Sequence, residues 1–198
     1  TASDGSLTDS GSFTLAVTPV NDAPVVDATA SQTIDEDSSL TLTLSASDVD
    51  GDALTFSAFA DNASTSVDGS TLTVTPDADF NGALEVTVFA FDGSLEGSNS
   101  FVLTVTPVND APVLGDLADD SIDEDSSLTL TLSASDVDGD NLTFSASSSS
   151  GSATVDGSTL TVNPAQDFNG DVTVTVTASD GSLTDSGSFT LAVTPVND

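Results

Sequence analysis

The chain has 198 residues, 33 of them Asp or Glu, and contains no Lys, Arg, His, Cys, Trp, Tyr or Met. A net charge of −33 with no internal cation excludes nucleic acids and anionic membrane surfaces as partners, since both need basic patches, and it leaves Ser and Thr without a base to activate them for catalysis. No apolar run reaches the ~20 residues of a membrane span, so direct membrane insertion is not expected, and without Cys there are neither disulfides nor thiolate metal sites.

The first element is a lone strand. In residues 12–17, Phe13, Leu15 and Val17 alternate with polar neighbours, which predicts a strand with one apolar face. It is followed by "TPVNDAP" at 18–24. That heptapeptide recurs at 106–112, and the chain closes on "TPVND" at 194–198. Between the copies, period-two alternation and turn residues predict strands at 33–34, 40–47, 54–58, 66–68, 70–75, 84–91 and 100–106. Asp68-Gly69 and Asp92-Gly93 mark hairpin turns, as does Asp156-Gly157. Nothing shows a helical period.

Residues 23–110 and 111–198 align without a gap at an 88-residue period, with roughly two-thirds of positions identical. A unit of that length is a small autonomous domain rather than a solenoid turn. Residues 1–22 duplicate 177–198 letter for letter. They read as the C-terminal strand fragment of a preceding repeat, and the chain, opening on Thr1, as a piece of a longer periodic protein. The expected fold is all-β: tandem Greek-key β-sandwiches of about seven strands, end to end.

Asp outnumbers Glu 29 to 4. Short carboxylates in Gly-containing loops suit a hard cation that takes six to eight oxygen ligands, as Ca²⁺ does. The same loops, taken singly, are also ordinary solvated turns. An enzyme is not expected: a catalytic carboxylate pair occurs once, in a cleft, whereas these acids recur in repeated loops.

Several motifs together resemble the cadherin-like repeats of large bacterial surface adhesins and RTX-type secreted proteins, of the VCBS kind. "PVNDAP" resembles the cadherin D-x-N-D-N-x-P junction without its first Asp. "DVDGD" at 48–52 resembles D-x-D. "IDED" at 34–37 places Glu36 where cadherins have an N-terminal Glu ligand. "DADF" at 77–80 falls where the family has L-D-R-E, and Asp92 in "AFDG" matches the Asp of A-x-D. The Leu and Arg of L-D-R-E are missing, and the second unit has Ala165 in place of Asp77.

The resemblance implies one complete Ca²⁺ junction, with about two or three ions. Its ligands would be Glu36, Asp77 and Asp79 from one domain, Asn109 and Asp110 from the linker, and Asp136, Asp138 and Asp180 from the next. It also implies half-sites at the ends: Asn21, Asp22, Asp48, Asp50 and Asp92 on one side, Glu124, Asp167, Asn197 and Asp198 on the other. The partners it implies are adjacent repeats of the same chain, in a secreted or surface-bound bacterial protein. A fibre of laterally or end-to-end associated copies is the alternative, favoured by the apolar face of residues 12–17.

Most of the ten Phe fall at core parity. Phe59, Phe89 and Phe91 occur only in the first unit, against Ser147, Thr177 and Ser179 in the second, and they define a candidate exposed patch. Glu85 and Glu96, matched by Thr173 and Thr184, are expected at the surface. Sugar platforms of Trp or Tyr are absent, as is any Trp for homophilic exchange.

Overall fold

A computed structural model describes residues 1–197. Asp198 lies outside the described residues, and so does the ligand role expected of it. The chain divides into two compact units, Thr1–Pro107 and from Val108 onward.

The first unit contains β1 (Ala2–Ser3), β2 (Thr8–Asp9), β3 (Val25–Val26), β4 (Gln32–Asp35), β5 (Leu40–Thr43), β6 (Ala46–Ser47), β7 (Thr55–Phe59), β8 (Ala63–Asp68), β9 (Thr71–Pro76), β10 (Gly82–Phe91) and β11 (Glu96–Thr106). Two sheets, ordered β4-β11-β10-β7 and β5-β9-β8, face each other across one apolar cluster. Leu72 and Val74 come from one sheet, Val86, Val88, Leu103 and Val105 from the other. The alternation is strict. Every second side chain of β10 from Leu84 to Ala90 is buried, and the intervening ones face outward. β4 pairs in parallel with the end of β11, Gln32↔Leu103 through Asp35↔Thr106.

The second unit repeats this plan in β12 (Val113–Leu114), β13 (Asp120–Asp123), β14 (Leu128–Thr131), β15 (Ala134–Ser135), β16 (Thr143–Ser148), β17 (Ser152–Asp156), β18 (Thr159–Asn163), β19 (Gly170–Ser179) and β20 (Thr184–Thr194). Its two larger sheets are β13-β20-β19-β16 and β14-β18-β17, beside the short pair β12-β15, and they close over Leu160, Val162, Val174, Val176 and Leu191. Both units are all-β sandwiches, as the alternation predicts.

β8 begins at Ala63 rather than Ser66 and β3 was not expected, and three larger differences follow. The strand expected at 40–47 is two strands, for β5 pairs with β9 while β6 pairs with β3. Between them the Leu44 N–H donates to the Ser70 carbonyl and the Asp27 N–H to the Ser45 carbonyl. The chain crosses from one sheet to another there without losing its alternation. β11 starts at Glu96 rather than Ser100. Gly97 allows this, because a Cβ there would lie 1.8 Å from the Pro24 carbonyl oxygen. Finally, residues 10–22 form no strand. Only the short pair β1–β2 forms in the opening segment, and Phe13, Leu15 and Val17 are exposed.

Candidate metal-binding poles

Each unit carries two acidic poles at opposite ends of its long hairpin. In the first unit β10 and β11 pair from Gly82↔Val105 to Phe91↔Glu96. At about 3.3 Å per residue, ten residues separate the ends by about 30 Å.

At the Phe91 end, Asp92 opens the turn. Its Oδ1 accepts the N–H groups of Ser94 and Leu95 at 2.6 and 2.7 Å, and its Oδ2 accepts Asn21 Nδ2 at 2.9 Å. The next residue, Asp22, donates its N–H to Asp50 Oδ2 at 2.8 Å. Asp48 folds its own loop: Oδ1 accepts the N–H groups of Asp50, Gly51 and Asp52 at 2.9, 3.0 and 3.3 Å. Its other oxygen, Oδ2, is buried and has no hydrogen-bond partner. A buried carboxylate oxygen without a donor is costly, and a cation beside it would offset that cost.

The second unit reproduces the arrangement closely, except that the Gly139 N–H donates to the Asp136 carbonyl rather than to its side chain. Asn109 Nδ2 donates to Asp180 Oδ2 at 2.8 Å, and the Asp110 N–H donates to Asp138 Oδ2 at 2.8 Å. Asp136 Oδ1 accepts the N–H groups of Asp138 and Asp140 at 3.0 and 3.4 Å. Asp136 Oδ2 is again buried and unpartnered. Carboxylate oxygens of Asp110 and Asp138 lie within 4.8 Å of each other. Hydrogen bonds that favour the ionised form hold two of these acids below the usual carboxylate range. For Asp92 the Leu95 N–H is the main cause, followed by Asn21; for Asp180 it is the Asn109 amide, followed by Leu183 and Ser182.

At the Gly82 end, Glu36 is the one buried charged residue among those described. Its N–H donates to the Thr106 carbonyl, which fixes it to the end of β11, and Asn81 Nδ2 reaches its Oε2 at 3.3 Å. The Asp79 N–H donates to Asp37 Oδ1 at 3.3 Å, and the two carboxylates approach within 4.8 Å. Both residues are left-handed, with φ of 57° and 58°, a conformation Asp tolerates better than most side chains. In the second unit the Asp167 N–H donates to Asp125 Oδ1 at 3.3 Å. Glu124 is tied through its N–H to the Thr194 carbonyl and accepts the Val196 N–H on Oε1 at 2.7 Å.

The structure thus brings together Asn21, Asp22, Asp48, Asp50 and Asp92 at one pole, and Asn109, Asp110, Asp136, Asp138 and Asp180 at its counterpart. Glu36 and Asp79 share another pole, with Glu124 and Asp167 in the equivalent places. Asp77 is exposed, and its carbonyl accepts the Phe80 N–H. Ala165 does the same for Phe168, so that turn needs no carboxylate. Asp37, Asp125 and Asn81 were not singled out in the sequence. The one signal for the two Asp was the acid directly after each Glu of "IDED", since their left-handed backbone is invisible there.

These donor sets hold carboxylate, amide and carbonyl oxygens, with neither nitrogen nor sulfur ligands available anywhere in the chain. That chemistry fits Ca²⁺, and the bare oxygens of Asp48 and Asp136 fit a site that expects a cation.

Residues 20–106 match the family profile described as Cadherin-like domain, and residues 109–192 match the one described as Bacterial Ig domain. Domains of these kinds are generally structural or adhesion repeats, non-enzymatic and typically extracellular. Among solved structures, human protocadherin-24 EC1-2 aligns over 88% of this chain and 100% of its own, at 18% identity and a TM-score of 0.54. Drosophila N-cadherin EC1-4 aligns over 89% of this chain and 50% of its own, at 21% identity and a TM-score of 0.50. At these identities the likeness shows the fold. An endo-fucoidan hydrolase of glycoside hydrolase family 107 aligns over 88% of this chain, which spans 29% of the hydrolase, with a TM-score of 0.40; it carries no argument here. No curated protein matches. The chain is therefore an all-β protein of tandem sandwich domains, one stretch similar to cadherin-like domains and the other to bacterial Ig domains. Among the described residues, no helix is long and apolar enough to cross a membrane.

Proposed function

We propose that the chain is a calcium-stiffened structural repeat, a spacer within a long extracellular adhesin-type protein, with Ca²⁺ held at the acidic poles next to each linker. The observation that carries this reading is the pair of buried, donorless oxygens, Asp48 Oδ2 and Asp136 Oδ2, each in a loop whose other oxygen is fully engaged by backbone N–H groups. When bound, Ca²⁺ supplies a positive charge that accepts several oxygen ligands at once and offsets repulsion among them. The chain's own residues do the rest. Asn21 and Asn109 each pull the linker onto the A-x-D turn, and the backbone of Asp22 and Asp110 clamps it to the D-x-D loop. Binding and ordering of the linker are then one event. Extracellular modules bind Ca²⁺ at roughly 10⁻⁴–10⁻³ M, so the repeat is stiff outside a cell and slack at cytosolic calcium.

The test is small-angle scattering with a melting curve on the whole chain, titrated from EDTA to millimolar calcium. A joint rise in maximum dimension and Tm, abolished by Asp136→Ala with Asp138→Ala, supports the reading; no change in either sinks it.

A second reading, a block of a self-assembling filament or surface array, is favoured by the exposure of Phe13, Leu15 and Val17. Calcium-dependent sedimentation of the chain as large species, lost on Phe13→Ser with Leu15→Ser, would support it.

A further inference from the structure

The outer face of the sheet β4-β11-β10-β7 is chemically unlike its counterpart in the second unit. Outward positions on β7, β10 and β11 alternate with the core. Six of them carry Phe59, Glu85, Phe89, Phe91, Glu96 and Val102, where the second unit has Ser147, Thr173, Thr177, Ser179, Thr184 and Thr190. At these six positions neutral hydroxyls of the second unit are replaced by rings, an aliphatic side chain and carboxylates, whereas Ala83 against Asp171 and Thr104 against Ala192, further along the same strands, run the other way.

Pairing makes the six residues one surface. Phe91 stands opposite Glu96 on one side and Thr55 on the other, and Phe89 stands between Ser57 and Ser98. Phe59 is opposite Thr87, which places it diagonally beside Phe89, within reach of aromatic side chains. Glu85 is opposite Val102 and accepts the Ser100 hydroxyl at 2.8 Å. Phe59 is 58% exposed, Phe91 42% and Val102 43%. Large apolar side chains clustered on a solvent face mark a contact surface.

Charge complementarity selects the occupant. A second copy brings another −33, and polyanions are repelled likewise. Aromatic faces beside carboxylates attract ammonium and guanidinium groups, the rings through their quadrupole and the acids by charge. No side chain of this protein carries such a group. We propose that this face of the first unit is a docking site for a basic, Arg- or Lys-bearing segment of another protein. It borders the pole at Asp92 through Phe91 and Glu96 but uses none of that pole's residues, and it does not rest on the calcium reading.

The probe is an acetylated octapeptide of alternating Arg and Ser, titrated calorimetrically into the full chain in millimolar calcium at about 0.15 M salt, where distant charges are screened. The informative variant is Phe59→Ser with Phe89→Thr and Phe91→Ser. It installs residues the second unit carries on the same strand positions and keeps the net charge. Its melting curve checks the fold. We expect affinity to fall about tenfold or more, and Glu85→Thr with Glu96→Thr to lower it severalfold. Amide shift changes in the wild-type chain should centre on β7, β10 and β11. Equal binding by the triple Phe variant, or shifts confined to the Asp loops, would show plain polyelectrolyte attraction and overturn the proposal. Absence of binding overturns it, as does self-association of the wild-type chain that the triple variant abolishes, which would make the face a surface between copies.

Discussion

Residues 1–22 and 177–198 have the same sequence and only half the same structure. Both copies build the same turn. Ala2↔Asp9 and Ser3↔Thr8 pair as Ala178↔Asp185 and Ser179↔Thr184 do. Asp4 Oδ1 accepts the Ser6 and Leu7 N–H groups as Asp180 Oδ1 accepts those of Ser182 and Leu183. Beyond the turn they part. Phe189, Leu191 and Val193 are 3%, 0% and 4% exposed, whereas Phe13, Leu15 and Val17 are 89%, 75% and 83% exposed. The turn closes on contacts within its own eight residues, from Ala2 to Asp9. The strand needs β19 on one side and β13 on the other, and no described strand flanks residues 12–17. Turn geometry is thus local chemistry, while strand order comes from partners far along the chain.

The largest test of this contrast is apolar truncation. Leu191→Ala should destabilise the second unit by about 2–5 kcal/mol, and Leu15→Ala should change unfolding by no more than about 0.5 kcal/mol. Urea unfolding followed by far-UV circular dichroism reads both. Equal costs would mean that residues 12–17 are packed in solution.

Calcium sharpens the comparison next. With a Kd of about 10⁻⁴ M, raising free calcium to about 10 mM should stabilise the units by about 2.7 kcal/mol. Asp180→Ala should shrink that gain, because Asp180 also holds Asn109. Asp4→Ala should leave it unchanged, although both residues cap identical turns. Comparing Tm with and without calcium for each variant separates lost ligation from a lost cap.

The smallest effect concerns acid. Bonds from Leu7 and Ser6 to Asp4, from Leu95 and Asn21 to Asp92, and from Asn109, Leu183 and Ser182 to Asp180 favour the ionised forms and lower all three pKa values. A lowered folded-state pKa stabilises above the ordinary Asp range, and that contribution is lost as pH falls through the lowered value. Carboxyl-carbon NMR titration should therefore place all three midpoints below 3.8, the ordinary value. Asn109→Ala should raise the Asp180 midpoint and leave that of Asp4 in place.

Much of the candidate site was legible because its residues sit in turn motifs. Asp92 and Asp180 cap loops whose sequences alone dictate the cap, and "DVDGD" closes on its first Asp in both units. Asp37 and Asn81 were less legible. Their place depends on a left-handed backbone and on Glu36 being anchored to the end of β11, and both are consequences of the assembled sheet. The six-residue outer face of the first unit was visible only in part: the three Phe stood out by comparison of the repeats, but their grouping with Glu96 and Val102 required the strand register.

The sequence by itself determined the all-β class, the repeat period, the hairpin turns and the oxygen-only ligand chemistry, because alternation, Asp-Gly turns and composition act over a few residues or none. Only the tertiary structure decided which sheet each strand joined. It split the continuous alternation of residues 40–47 between two sheets. It left Phe13 in water and buried Phe189 in the same local sequence, since burial depends on which distant strands are present to pair.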